Sequence, residues 1–171
     1  LEVTQFPAAS TILTGHNAAL NLTLTLDDKK GNQQSCQIAL LLQDKQPPSI
    51  VCPANTTVGT TFGCSGFLGA WSGTVADNCA SPANITQSQS PAANTVLTGA
   101  NAAQMVTLQA DDGHGNTQTC QFQITLKDVT PPSIFCPANI IRSTDPNRCD
   151  AVVSYATPTA TDHCSGAGLD H

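Results

Sequence analysis

The sequence predicts an all-β protein built of tandem, disulfide-stapled β-sandwich domains. Three observations predict it. A domain-length stretch repeats, apolar and polar residues alternate in short runs with almost no helical spacing, and the eight cysteines recur in register.

The repeat comes first. Residues 1–48 realign on 85–132 with a shift of 84. PAASTILTG (7–15) matches PAANTVLTG (91–99), LDDKKGNQQSCQ (26–37) matches ADDGHGNTQTCQ (110–121), and QDKQPPSIVCPAN (43–55) matches KDVTPPSIFCPAN (127–139). Cys36 and Cys120, like Cys52 and Cys136, are 84 apart; Cys64 to Cys149 and Cys79 to Cys164 are 85 apart, which places one inserted residue between Ala138 and Cys149. A period of this length is a whole domain, longer than a solenoid repeat. Pro47-Pro48 and Pro131-Pro132 are the natural joints, short and semi-stiff because paired prolines lack backbone donors and favour extended chain. On this phasing residues 1–47 are the back part of one domain, 48–131 a complete domain, and 132–171 the front part of the next. Such an arrangement is expected of a window on a longer repetitive protein. It is also expected if the 132–171 half of one subunit completes the 1–47 half of its neighbour.

Each element then follows from pattern. Ala19–Leu26 alternates apolar and polar at period two, and Met105–Ala110 is its counterpart. Cys120–Leu126 alternates with Cys120, Phe122, Ile124 and Leu126 on one face. Ser133–Cys136 and Val152–Tyr155 are shorter candidates for strands. Asp27–Asn32 and Asp111–Asn116 carry Asp-Asp-x-x-Gly-Asn, a run of turn formers that predicts a hairpin between the last two strands of each repeat. Many short strands separated by turns in about 85 residues argue an immunoglobulin-like sandwich.

Aromatic residues make up only 4%, so Val, Ile, Leu and Ala must fill the core. So small an apolar core is marginal alone, and disulfides compensate. Four cysteines per period allow three pairings, and sequence alone does not choose between them. The preferred pairing is first with fourth and second with third: Cys52–Cys120, clipping the opening strand to the closing one, and Cys64–Cys79, closing a loop worth about 3 kcal/mol. The same rule pairs Cys149 with Cys164. It leaves Cys36 and Cys136 with partners in other sequence, or bonded to each other between subunits.

Composition excludes several classes of function. The net charge is −6, with only six Lys and Arg in 171 residues, so no cationic surface for nucleic acid is expected, nor a polybasic membrane contact. No apolar run approaches the roughly 20 residues of a membrane-spanning helix. No leader is visible, and a chain opening at Leu1 is compatible with removal of one.

These motifs resemble a known family. Asp128-x-x-Pro131-Pro132-x-Ile134-x-Cys136-Pro137 looks like the opening of a hyalin repeat (HYR) domain, and Pro158–Ser165 resembles its Pro-x-Ala-x-Asp-Asn-Cys-Ser segment. Asp112 to Phe122, and Asp28 to Ile38, resemble its closing hairpin. The resemblance covers the whole chain. It implies an extracellular, immunoglobulin-like module, often in tandem, linked to adhesion rather than catalysis. Members that keep only the outer two cysteines support the first-with-fourth pairing. The chain departs from the pattern at His163, which replaces Asn, and at 65–76, which lacks the Pro-Thr-Ala-Thr element.

Leads toward chemistry each have a structural reading. His163-Cys164 invites a thiol nucleophile, but its counterpart is Asn78-Cys79, so a base is not part of the pattern. Asp111, Asp112, His114 and Asn116 offer metal-type donors, yet the other copy places Lys29 and Lys30 in the same loop, which favours a plain turn. No metal and no cofactor is therefore expected. Asn21, Asn55 and Asn84 sit in Asn-x-Ser/Thr sequons and are candidate glycosylation acceptors. Trp71 is expected to pack rather than to serve as a ligand platform. Lys29, Lys30, Lys45 and Lys127 do not recur in register, which argues against isopeptide cross-links. The expectation is a non-catalytic stretch of a secreted or cell-surface filament or adhesin. It self-associates end to end or laterally through edge strands or completed half-domains. The alternative is an adhesion module that presents loops to a glycan or receptor.

Overall fold

A computed structural model describes residues 1–61 and 63–164. Ser165, which ends the Pro158–Ser165 segment, and the remainder of the 132–171 segment lie outside the described residues. The described chain is all-β: β1 (Glu2–Phe6), β2 (Ala19–Asp27), β3 (Gln33–Leu41), β4 (Ser49–Val51), β5 (Thr56–Gly59), β6 (Ser65–Phe67), β7 (Thr74–Ala76), β8 (Thr86–Ser90), β9 (Val96–Thr98), β10 (Ala103–Asp111), β11 (Thr117–Lys127), β12 (Ser133–Phe135) and β13 (Thr159–Thr161). A short 3-10 turn spans Pro82–Asn84. No helix among the described residues is long and apolar enough to cross a membrane.

The chain divides into two compact units: Leu1–Pro53 with Trp71–Ser90 and Thr107–Gln121, and Ala54–Ala70 with Pro91–Val106 and the chain from Phe122 onward. In the first unit β1, β2 and β3 form an antiparallel sheet in that order. The β2–β3 ladder runs from Ala19 opposite Leu41 to Asp27 opposite Gln33. Its turn is shaped by carboxylates: Asp27 Oδ1 accepts the Lys29 N–H (2.6 Å) and Asp28 Oδ1 accepts the Lys30 N–H (2.7 Å). Gly31 then takes φ +95°, a left-handed conformation that glycine adopts without a Cβ penalty. The β10–β11 turn repeats this, with Gly115 at +94°. The other turns recur at the same shift: Ser10 and Asn94 at 69° and 67°, Gly15 and Gly99 at 91° and 97°, Asn17 and Asn101 at 60° and 63°. The internal repeat is therefore present in backbone conformation as well as in sequence.

The 48–131 segment builds a four-stranded sheet of order β5-β11-β10-β8. β8 pairs antiparallel with β10, Thr86–Ser90 against Thr107–Asp111, in the first unit. β5 pairs parallel with β11, Thr56–Gly59 against Ile124–Lys127, in the second. Alternation makes one face of the long hairpin apolar, and that face is buried: Val106, Leu108 and Ala110 on β10, and Phe122, Ile124 and Leu126 on β11. In the first unit Ala80, Ile85 and Ala110 cluster, with Ile50 and Val75 packed against them. In the second, Leu68 and Leu97 are buried.

The expected strand Val152–Tyr155 does not form: these residues belong to no strand, and Val152, Val153 and Tyr155 are exposed. β-propensity expresses packing on a pleated surface, and without a covering neighbour it does not suffice. Ser133–Cys136 does form a strand, ending at Phe135, and it pairs with β13.

Leu126 is fully buried, while Leu42, its counterpart 84 residues earlier, is 37% exposed. Leu126→Ala should therefore cost about 2–5 kcal/mol, the usual range for truncating a core leucine. Leu42→Ala should cost below about 1 kcal/mol in dilute monomer. Urea unfolding of the two variants followed by circular dichroism measures the difference.

Candidate functional site

The richest polar site in the first unit is the joint before Pro47-Pro48. Asp44 precedes these prolines, and its carboxylate is 1% exposed. Asp44 Oδ1 accepts the Gln46 N–H (3.1 Å), an Asx turn that fixes the approach to the prolines. The Asp44 N–H donates to His16 Nδ1 (3.1 Å), so the loop between β1 and β2 is tied to the joint. The closing β10–β11 turn reaches the same residue: Asp44 Oδ2 lies 3.3 Å from His114 Nδ1, and the Asn116 side-chain amide donates to the Asp44 carbonyl (3.4 Å). The His16 and His114 rings stack, with centroids 4.2 Å apart and planes 12° from parallel.

Asp112, also buried, organises its own turn. Its Oδ1 accepts the N–H of His114 (2.7 Å) and of Asn116 (3.1 Å), and its Oδ2 accepts the Asn116 side-chain N–H (2.7 Å). Burial works to raise the pKa of this carboxyl, but the Asn116 and His114 hydrogen bonds outweigh it and hold the group below the usual carboxylate range. Asp28, the counterpart in the other repeat, is likewise lowered, first by the Asn32 side chain.

Ligand atoms of Asp44, Asp112 and His114 lie within 4.8 Å of one another and are the residues here that could hold a metal ion. Their oxygens are already engaged by N–H groups of Gln46, His114 and Asn116. As built, the set is a hydrogen-bonded clamp on the joint. Sequence reasoning identified Asp112, His114 and Asn116 as a turn but missed Asp44 and His16. Asp44 had a signal, since it recurs as Asp128; His16 had none, because Ala100 stands in its place. Asp128 makes the same turn in the second unit, accepting the Thr130 N–H (2.9 Å) and hydroxyl (2.6 Å) and the Thr60 hydroxyl (3.3 Å). The Thr130 hydroxyl is the chief reason its pKa is lowered.

A cleft of about 560 Å³ opens beside the first joint, lined in part by His16, Asp44, Pro47, Asn78 and Cys79. Desolvation pushes the Cys79 thiol up, and the charges of Asp44, Asp77 and Asp112 push it further, so a thiolate nucleophile is disfavoured there. Asp77 holds this loop by accepting the N–H of Cys79 (2.9 Å) and of Ala80 (2.7 Å).

The cysteines distribute as follows. Cys52, just past β4, is bonded to Cys120 on β11, with Cα atoms 5.7 Å apart. Cys64 is bonded to Cys164, at a Cα separation of 4.9 Å. This differs from the preferred second-with-third pairing, which joined Cys64 to Cys79 and Cys149 to Cys164. Cys64 lies within bonding reach of Cys164, whereas Cys79 is a free thiol in a turn held by Asp77. Cys36, Cys79, Cys136 and Cys149 are exposed and unbonded. Cys164 is thus disulfide-bonded, which removes a His163-Cys164 nucleophile.

Asn21 on β2, Asn55 and Asn84 are all exposed. Asn55 Oδ1 accepts the Gln123 N–H (2.8 Å), a structural role at the edge of β11. Trp71 is half-buried, and its backbone N–H donates to Gln89 Oε1 (2.7 Å).

Comparison with known proteins adds to this geometry. The sequence pattern of the HYR domain matches residues 43–126 and again 127–170. Hyalin of Strongylocentrotus purpuratus is 27% identical over 165 residues, covering 94% of this chain and 13% of that protein. Hyalin of Lytechinus variegatus is 26% identical over 153 residues, covering 86% of this chain and 28% of that protein. The chain thus spans less than a third of either relative.

The lowered carboxyls fix the sign of the acid response. A folded-state pKa below the unfolded value of about 3.9 gives stability that is present above that value and lost as pH falls through the folded one. Thermal stability should be level from about pH 7 to 5 and fall below about pH 4. Asp112→Ala should flatten that fall, as read from melting curves across the pH series.

Proposed function

The chain belongs to the HYR domain family, and on that premise we propose that it is a load-bearing, non-catalytic segment of an extracellular filament or adhesin. Residues 1–47, 48–131 and 132–171 are then parts of successive domains in a strand. The observation that carries this reading is the Cys52–Cys120 bond, which joins the strand opening the 48–131 repeat to the strand closing it. Tension enters such a repeat near Pro48 and leaves it near Pro131. The bond lies across that path and shields the stretch between its ends, a sequence separation of 68, from extension.

The joints support the same reading. At each one an Asp turns back on the residue two positions later, just before a Pro-Pro pair. Proline removes backbone freedom and the Asx turn removes more, so consecutive repeats are held in line rather than loosely tethered. Low charge density and abundant Thr, Asn and Gln suit a surface that meets other strands through hydrogen bonds. The Cys79 thiol, held protonated, and the bonded Cys164 support a reading without catalysis. Exposed strand edges supply a route to self-association.

Single-molecule extension tests the load path. The stretch between Cys52 and Cys120 spans 68 positions, and extended chain gains about 3.4 Å per residue, so reduction should lengthen the unfolding step of this repeat by roughly 230 Å. An unfolding step of equal length before and after reduction would remove the bond from the load path and refute the proposal.

A further inference from the structure

Cys64 and Cys164 are bonded to each other, yet they belong to different repeats. Cys64 lies in the first stretch that matches the HYR pattern, 43–126, and Cys164 in the second, 127–170. The Cys52–Cys120 bond, by contrast, closes within one repeat. Counted along the period, the second cysteine of one repeat is joined to the third cysteine of the next.

Both cysteines sit on turns rooted at the Pro131-Pro132 joint. On the near side Cys64 stands in the turn between β5 and β6, which is closed by the Thr61 N–H donating to the Ser65 carbonyl (2.9 Å). The Gly99 N–H donates to the Cys64 carbonyl (2.8 Å) and holds the backbone of the cysteine. The foot of this turn is Thr60, a buried residue. Its N–H donates to the Lys127 carbonyl (2.9 Å) and its hydroxyl to Asp128 Oδ1 (3.3 Å), the same oxygen that accepts the Thr130 N–H. On the far side β12 starts at Ser133, directly after the two prolines, and pairs with β13, Ser133 opposite Thr161. Cys164 follows β13, and its N–H donates to Asp162 Oδ1 (2.7 Å). The Cys164 sulfur lies 3.7 Å from the Gly63 carbonyl oxygen. The path from Cys64 through Thr60, Asp128, the prolines, Ser133 and Thr161 to Cys164 is therefore a ring of covalent and hydrogen bonds, and the disulfide closes it.

The backward aim of the third cysteine is not peculiar to Cys164. Cys79, its counterpart, is set by the same turn: Asp77 Oδ1 accepts its N–H (2.9 Å). Cys79 also lines the cleft beside the first joint, together with Gly15, His16 and Pro47 of the preceding repeat. In both copies an Asx turn delivers the third cysteine to the joint with the repeat before it.

We infer that the Cys64–Cys164 bond is a clasp between consecutive repeats, which locks the Pro131-Pro132 joint and carries load past it. Hydrogen-bonded turns open under tension, and a covalent bond does not. The inference deepens the load-bearing reading and rests on it. With the clasp closed, the shortest covalent path through the chain runs from Cys64 straight to Cys164. It skips the stretch between them, a sequence separation of 100, against 68 for Cys52–Cys120.

The test stretches the 171-residue chain from its two ends, one molecule at a time, before and after dithiothreitol. Each protein disulfide takes two electrons and two protons from the dithiol, which closes to a cyclic disulfide. At about 3.4 Å per residue, reduction of the native chain should release roughly 340 Å, from the separation of 100. A Cys52→Ser, Cys120→Ser chain should release the same. A Cys64→Ser, Cys164→Ser chain should release only the roughly 230 Å of the Cys52–Cys120 bond, which is thereby read by itself. Locking of the joint is read by hydrogen exchange: the Thr60 and Thr130 amides should exchange at least about fivefold faster in the Cys64→Ser, Cys164→Ser chain than in the native one. A native chain that releases roughly 230 Å overturns the clasp and leaves the Cys52–Cys120 reading standing. A Cys64→Ser, Cys164→Ser chain that releases nothing overturns that reading instead. Peptide mapping that joins Cys64 to Cys79, or equal exchange of the two amides in both chains, also overturns the clasp.

Discussion

Everything in this protein depends on covering one apolar hairpin face. The two closing strands of a repeat turn Val106, Leu108, Phe122, Ile124 and Leu126 to the same side, and that side is buried. Among the described residues Phe122 is the one aromatic side chain in that core. Small aliphatic side chains bury little area each, so the cover must be held by other means. The Cys52–Cys120 bond does this by closing a long loop, worth about 4 kcal/mol in a chain-entropy account. On β10 and β11 these positions are dry.

The joints between repeats follow a second constraint, the need to satisfy polar groups where the chain turns. Asp44 and Asp128 each accept the N–H two residues on, which replaces a hydrogen bond that the following prolines cannot supply. At the first joint the turn also gathers His16, His114 and Asn116, so that the β1–β2 loop and the β10–β11 turn are tied to the same aspartate. A carboxylate buried to this degree is stable only when hydrogen-bonded on several sides, and here it is.

The fold was legible from the sequence because each of its signals is local. Alternation along Ala19–Leu26 and Cys120–Leu126 is a strand pattern regardless of surroundings, and Asp-Asp-x-x-Gly-Asn is a turn regardless of what it touches. The same locality explains the failures. Val152–Tyr155 carries strand-forming residues but has no strand beside it, and pairing is not a property of the segment itself. The pairing of Cys64 depends on which loops meet across about a hundred residues, and spacing holds no record of that. His16 went unnoticed for a related reason, since a histidine in one loop gains meaning only from the His114 ring that stacks on it.

By itself, the sequence determined the repeat, the strands and turns of each copy, the small aliphatic interior and the need for sulfur bridges, because these follow from neighbours a few residues apart or from copies 84 apart. Only the tertiary structure decided which cysteines bond and that Asp44 joins two loops. Those outcomes depend on long-range approach of groups through space, which a linear pattern can permit but does not specify.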